Sequence, residues 1–165
     1  MPYLFRTINK RRWDWGGNNP PWLPRGAVPG APFGDVAPSS ESVLSLWWVE
    51  QDESNVHRVV AALAAGRQHF DKFDYALIDE AAVRGLGIKV QAVAEPCPDQ
   101  VASTRWHRNL IQLTADNLHA LVSLIKARAK LNRLLGPEVK ALVKDGLEAG
   151  HLERARINPA LRESL

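Results

Sequence analysis

The stretch from Asn9 to Ser42 restricts this chain more than any other. Pro20, Pro21, Pro24, Pro29, Pro32 and Pro38 alternate there with Gly16, Gly17, Gly26, Gly30 and Gly34. Proline removes a backbone donor and fixes φ, so neither a long helix nor a central strand can form across it. A connection of this length inside a compact domain is either functional or disordered. The same stretch carries Trp13, Trp15, Trp22, Leu23 and Phe33, residues that disordered linkers lack. It reads as an ordered arm laid over a surface that the rest of the chain must build.

Regular elements are legible on both sides of the arm. Tyr3 to Ile8 is aromatic and β-favouring, a first strand. Val43 to Glu50 is apolar on both faces and predicts an interior strand, with Leu44, Leu46, Trp48 and Val49 buried. Asp52, Glu53 and Ser54 offer a helix start, followed by the stripe Val56, Val59, Val60, Leu63 and Ala64 and a stop near Gly66. Phe73 to Ile78 is a second core strand. Asp79 to Gly85 predicts a short helix closed by Gly87. Ile88 to Ala94 alternates as a half-buried strand, and Trp106 to Leu113 reads as a further strand. From Thr114 the pattern is helical. One helix carries Leu118, Leu121, Val122, Ile125, Ala129 and Leu131 and runs to Gly136-Pro137. A second carries Val139, Leu142, Val143 and Leu147 and stops near Gly150, and a short one follows within 152–165. The expected architecture is α+β (mixed α/β), in one domain. It has a small sheet of four to five strands, helices over one face and a helical C-terminal third.

A chain of 165 residues buries enough surface to need no disulfide or metal staple. Its one cysteine, Cys97, fits a reducing compartment. Neither an apolar leader nor a membrane-spanning run is visible, so the expectation is a cytoplasmic protein with no membrane partner. Charge is uneven. Residues 1–26 hold five basic side chains against one acid, residues 27–104 five against eleven, and residues 105–165 eleven against six. Either the basic ends pack across the acidic middle, or one end meets an anionic partner.

Chemical motifs are sparse. No phosphate-binding glycine loop, nucleophile elbow or H-x-x-x-H pair is present, and nothing points to a cofactor or a metal. Asp79 and Glu80, at the end of a core strand, are the best acidic candidates for catalysis, with Asp74 nearby. Asp79 as a helix cap and Glu80 as a first-turn residue is the plainer reading, and Ala82 stands where a metal-dependent nuclease would place a lysine. Trp106-His107-Arg108-Asn109 would put His107 and Asn109 on one strand face, suited to acid–base chemistry or to a local hydrogen bond. In the arm, Arg11, Arg12, Trp13, Trp15, Trp22 and Arg25 interleave cations with indoles. They could clamp the arm to its own domain, anchor a protein interface, or stack bases and hold phosphate.

The function expected from this pattern is non-enzymatic binding of a protein partner, as an accessory or inhibitory subunit of a larger intracellular system. Nucleic-acid binding through the basic arm and the basic C-terminal helices is the first alternative. A small enzyme using His107 with Asp79 or Glu80 is the second.

Overall fold

The computed structural model describes residues 1–13, 27–39 and 41–165. Among them, β1 (Tyr3–Thr7), β2 (Leu44–Val49), β3 (Lys72–Asp79), β4 (Lys89–Ala92), β5 (His107–Ile111) and β6 (Lys130–Leu135) form one sheet. Every pairing is antiparallel, in the order β4-β5-β2-β1-β3-β6. The helices are α1 (Val56–Ala65), α2 (Glu80–Gly85), α3 (Ala115–Arg128), α4 (Gly136–Glu148) and α5 (Pro159–Glu163). The fold is α+β, as the pattern predicts, with six strands rather than four to five.

β1 sits inside the sheet, between β2 and β3. Leu4 lies opposite Trp48 and Ile78, and Phe5 lies opposite Trp47 and Leu77. Leu4 and Phe5 point to opposite faces, and both are fully buried. That requires cover on both sides, and both sides have it. Phe5, Trp47, Val49, Phe73, Tyr75 and Leu77 pack with α1, α4 and the C-terminal residues Leu152, Ile157 and Leu161. Leu4, Leu44, Leu46, Ala76, Ile78 and Leu110 pack with Val83 of α2 and Leu121, Val122 and Ile125 of α3. Helices over a single face would leave half of these side chains in water.

β2 is interior as expected, but its buried indole is Trp47, not Trp48. Trp47 is 7% exposed and lies opposite Phe5 and His107, under α1. Trp48 turns to the other face and is half-buried, with the Arg108 guanidinium 5.8 Å from its ring.

α1 starts later than the Asp52, Glu53 and Ser54 signal predicts, and no acidic side chain stands in its first turn. Asn55 precedes the helix, and its side chain turns back to take the Glu50 N–H at 2.8 Å and to donate to the Trp48 carbonyl at 3.2 Å. Where α4 crosses α1, a Cβ on Gly146 would stand 3.0 Å from Leu152 Cδ1 and 3.7 Å from Ala61 Cβ. The missing side chain leaves room for Leu152 to pack against α4. Leu63, expected on the buried stripe, is only half-buried, and Ala61, Ala62 and Ala65 are buried instead.

The largest departure is β6. The helix capped by Thr114, whose Oγ1 accepts the Asn117 N–H at 3.2 Å, ends at Arg128 instead of running to Gly136. Residues 130–135 extend along the free edge of β3, with Arg133 directly opposite Asp74. Ladder bonds and that charged pair outweigh local helix preference, which is worth only tenths of a kcal/mol per residue. At the other edge, β4 is four residues long and only Val90 is partly covered.

Trp47→Ala is expected to lower unfolding free energy by about 3–5 kcal/mol, the usual range for a buried aromatic. Trp48→Ala should have less than half that effect. Urea denaturation of both variants checks the assignment of the buried indole.

Candidate binding site

After Ile8 the chain leaves the sheet and makes a tight turn over Lys10–Arg12. Asn9 accepts the Arg11 N–H at 3.2 Å, closing the turn locally. Two buried carboxylates hold it from outside. Asp74 on β3 accepts the Lys10 N–H at 2.9 Å and the forked guanidinium of Arg133 at 2.6 and 2.9 Å. Asp35, from the far end of the arm, accepts from the Asn9 N–H at 2.9 Å, Arg12 Nη1 at 2.8 Å and Trp13 Nε1 at 2.7 Å. Its own carbonyl accepts from Arg6 Nε at 2.9 Å. A single aspartate thus ties the first residues of the arm to the last.

Charge follows the same route. Arg12 pairs with Asp35, Arg133 with Asp74, and Lys130 with Glu53. In each pair a basic end of the chain meets the acidic middle, the first of the two arrangements that the charge distribution allows.

The candidate residues therefore separate. Trp13 is 1% exposed and buried against the α3 side of the sheet, and its carbonyl accepts from Lys126 Nζ at 3.1 Å. It clamps the arm to its own domain. Arg12 is partly exposed at the Asp35 knot, and Arg11 is exposed. Trp15, Trp22 and Arg25 lie outside the described residues. Asp79 accepts the Ala82 N–H at 2.9 Å, the capping role, and Glu80 pairs with Arg84 one turn on at 2.6 Å. His107 is on β5, and two strands, β2 and β1, separate it from Asp79 on β3. At a strand spacing of about 4.8 Å that is roughly 14 Å, too far to share a proton. Among the described residues no group of three or more histidine, cysteine or acidic side chains is placed to hold a metal ion. None of the described helices is long and apolar enough to cross a membrane.

His107 nonetheless has unusual surroundings. It is 1% exposed, its ring meets Trp47 edge-on at 5.0 Å, and its Nδ1 is 3.1 Å from the Val93 carbonyl. A carbonyl only accepts, so Nδ1 carries the proton and Nε2 is left with a lone pair. Nε2 is buried and has no partner. Burial pushes the imidazole below its ordinary value and Arg108 adds to this, with the Val93 carbonyl and Glu95 pulling the other way. The ring is neutral at neutral pH. It lines a cleft of about 390 Å³ with Phe5, Trp47, Arg67, Glu95 and Cys97. The Cys97 thiol donates to the Asp99 carbonyl at 3.0 Å, and burial raises its pKa.

Sequence reasoning missed Asp35, Arg6 and Arg67. Asp35 left a signal, being the only acid between Asp14 and Glu41. Arg6 and Arg67 left none. Comparison with family models, curated proteins and solved structures finds no match to this chain.

Burial raises the Asp74 carboxyl, but the Arg133 fork and the Lys10 N–H outweigh it, so it titrates below the usual carboxylate value. A depressed carboxyl stabilises the fold above its unfolded value, about pH 4, and that stability is lost as pH falls through the folded value. Asp74→Asn is expected to flatten this acid limb as well as to lower stability at pH 7. Denaturant midpoints measured from pH 7 down to pH 2 check the sign.

Proposed function

We propose that this is a non-enzymatic partner-binding protein, an accessory or inhibitory subunit of a larger assembly, whose recognition element is the arm between Trp13 and Phe33. The observation that carries this reading is the Asp35 knot. It fastens Asn9, Arg12 and Trp13 to the segment that re-enters the fold at Asp35 and Val36, so both ends of the arm are anchored on one base. Anchoring a loop at both ends lowers the entropy lost when it meets a partner. The arm also carries Trp15, Trp22 and Arg25, residue types that dominate interface energetics. A buried Trp13 belongs to the base, and the recognition role falls to the indoles beyond it.

The experiment compares Trp22→Ala with Asp35→Ala in the tagged full chain purified from its native host. Trp22→Ala should leave the melting temperature within about 2 °C and remove the protein that co-purifies with the unaltered chain. Asp35→Ala leaves buried donors without an acceptor, at roughly 1–3 kcal/mol each, and should lower both stability and capture. A destabilised Trp22→Ala whose capture is unchanged would count against the reading.

Nucleic acid is the second reading, favoured by one feature. Arg11 is exposed on the turn and has no ion pair among the described residues. On this reading affinity for a DNA or RNA oligonucleotide falls steeply with salt, and Arg11→Ala lowers the salt slope by about one. A gel-shift series without binding at low salt rejects it.

A further inference from the structure

A hollow of about 570 Å³ opens between α1 and α4, beside the end of β2. Ala61, Leu142, Ala149 and Leu152 give it apolar walls, and Trp106 forms part of its lining. The Arg58 guanidinium, also on this lining, rests 5.2 Å from the centre of the Trp106 ring. It forks onto Asp99, with Nε 2.5 Å from Oδ2 and Nη2 3.0 Å from Oδ1. Asp99 is fully buried, and its Oδ1 also accepts the Val101 and Ala102 N–H groups. The positive charge of Arg58 is therefore matched inside the fold.

The other polar groups of the lining are mostly acceptors. Glu50, His57, Asp145 and His151 all border the hollow and all reach solvent. None of their side chains has a hydrogen bond or an ion pair among the described residues. Glu50 and Asp145 face the hollow with their carboxylates, because their main-chain groups are already taken. The Glu50 N–H goes to Asn55 Oδ1 and its carbonyl accepts the Glu53 N–H. Asp145 lies within α4, and its carbonyl accepts the Ala149 N–H. A carboxylate only accepts, and a neutral imidazole has one accepting nitrogen. Unpaired carboxylates in an apolar concavity focus negative potential there, in a chain whose net charge is +3. Among the described residues no three of these groups are placed to hold a metal ion, so the acceptors stand apart around the hollow.

We propose that this hollow binds an organic cation with an apolar stem, an alkylguanidinium or an alkylammonium. Its N–H groups donate to Glu50 and Asp145, the imidazoles of His57 and His151 supply further acceptors, and its stem lies on Leu142 and Ala149. A guanidinium brings five donors and an ammonium three, which suits a lining of this kind. Glu50 stands at the end of β2 and Asp145 on α4, so the ligand bridges two walls. The fork onto Asp99 keeps the Arg58 charge from opposing it. The volume falls within that of small-molecule sites, which run from about 300 to 1,000 Å³. A free amine and the basic side chain of a peptide share this chemistry. The site does not depend on the arm.

Isothermal titration of the full chain with agmatine, Nα-acetyl-argininamide, methylguanidinium and butyrate tests it. Agmatine or Nα-acetyl-argininamide should bind with Kd below about 1 mM, and the tighter of the two tells a free amine from a peptide side chain. Methylguanidinium, which lacks the stem, should bind at least about tenfold more weakly, and butyrate should give no saturable heat. Glu50→Gln and Asp145→Asn keep the shape of the side chain and remove its charge, and each should weaken binding at least about tenfold. Glu163→Gln, at an exposed carboxylate that does not border the hollow, should change it by less than about twofold. Melting curves establish that each variant folds. The ring signals of His57 and His151, followed by NMR in the unaltered chain, should move on titration and give a readout that needs no variant. Absence of saturable binding by both stemmed cations up to about 10 mM overturns the proposal. So does an affinity unchanged in Glu50→Gln or in Asp145→Asn, or one lost equally in Glu163→Gln.

Discussion

The sheet depends on five residues at the N-terminus. β1 pairs with β2 on one side and β3 on the other, so it joins a β4-β5-β2 half to a β3-β6 half. Without it, Phe5 could not stack on Tyr75, whose ring lies 4.7 Å away, and Leu4 could not fill the space between the two halves on the α3 side. These contacts span more than sixty residues of chain, from Phe5 to Tyr75. Closing such loops loses entropy before any contact repays it, so these long-range pairings are entropically costly to form.

β1 in its central place brings the arm with it. The residues that follow it cannot continue as a strand, and they turn onto two buried carboxylates instead. Each carboxylate is matched by a guanidinium and by backbone or indole N–H donors, the condition under which a buried charge can be held. The Arg133 that satisfies Asp74 comes from β6, and the Arg12 that satisfies Asp35 comes from the turn itself. The arm, the β3 edge and the last strand are thus coupled through charge, and removing either arginine leaves a buried carboxylate without its counter-ion.

The candidate site was only partly legible in the residues. Asp79 followed by Glu80 and a short helix carries its own explanation, because capping is local. His107 was visible as a titratable residue on a strand, but its neighbours were not. Trp47, Arg67 and Cys97 come from three distant segments and meet around it only because β5 pairs with β2 and α1 returns over the same face. Trp13 could be read from its neighbours as a clamp, an anchor for a partner or a platform for a base, and the acceptor that decided it, Asp35, lies 22 residues away.

The sequence by itself determined the elements whose signals lie within a turn or two of chain. These are the interior character of β2, the stripe of α1, the Asp79 cap of α2, the Thr114 start of α3 and the Gly136-Pro137 start of α4. It also placed prolines and glycines through residues 9–42, which disfavour a long helix or a central strand because they act on their own backbone. Only the tertiary structure decided that 130–135 is a strand, that Trp47 rather than Trp48 is buried, and that helices cover both faces of the sheet. Each of these turns on which edge or face meets which, and pairing across a sheet is set by the partner strand rather than by the residues beside it in the chain.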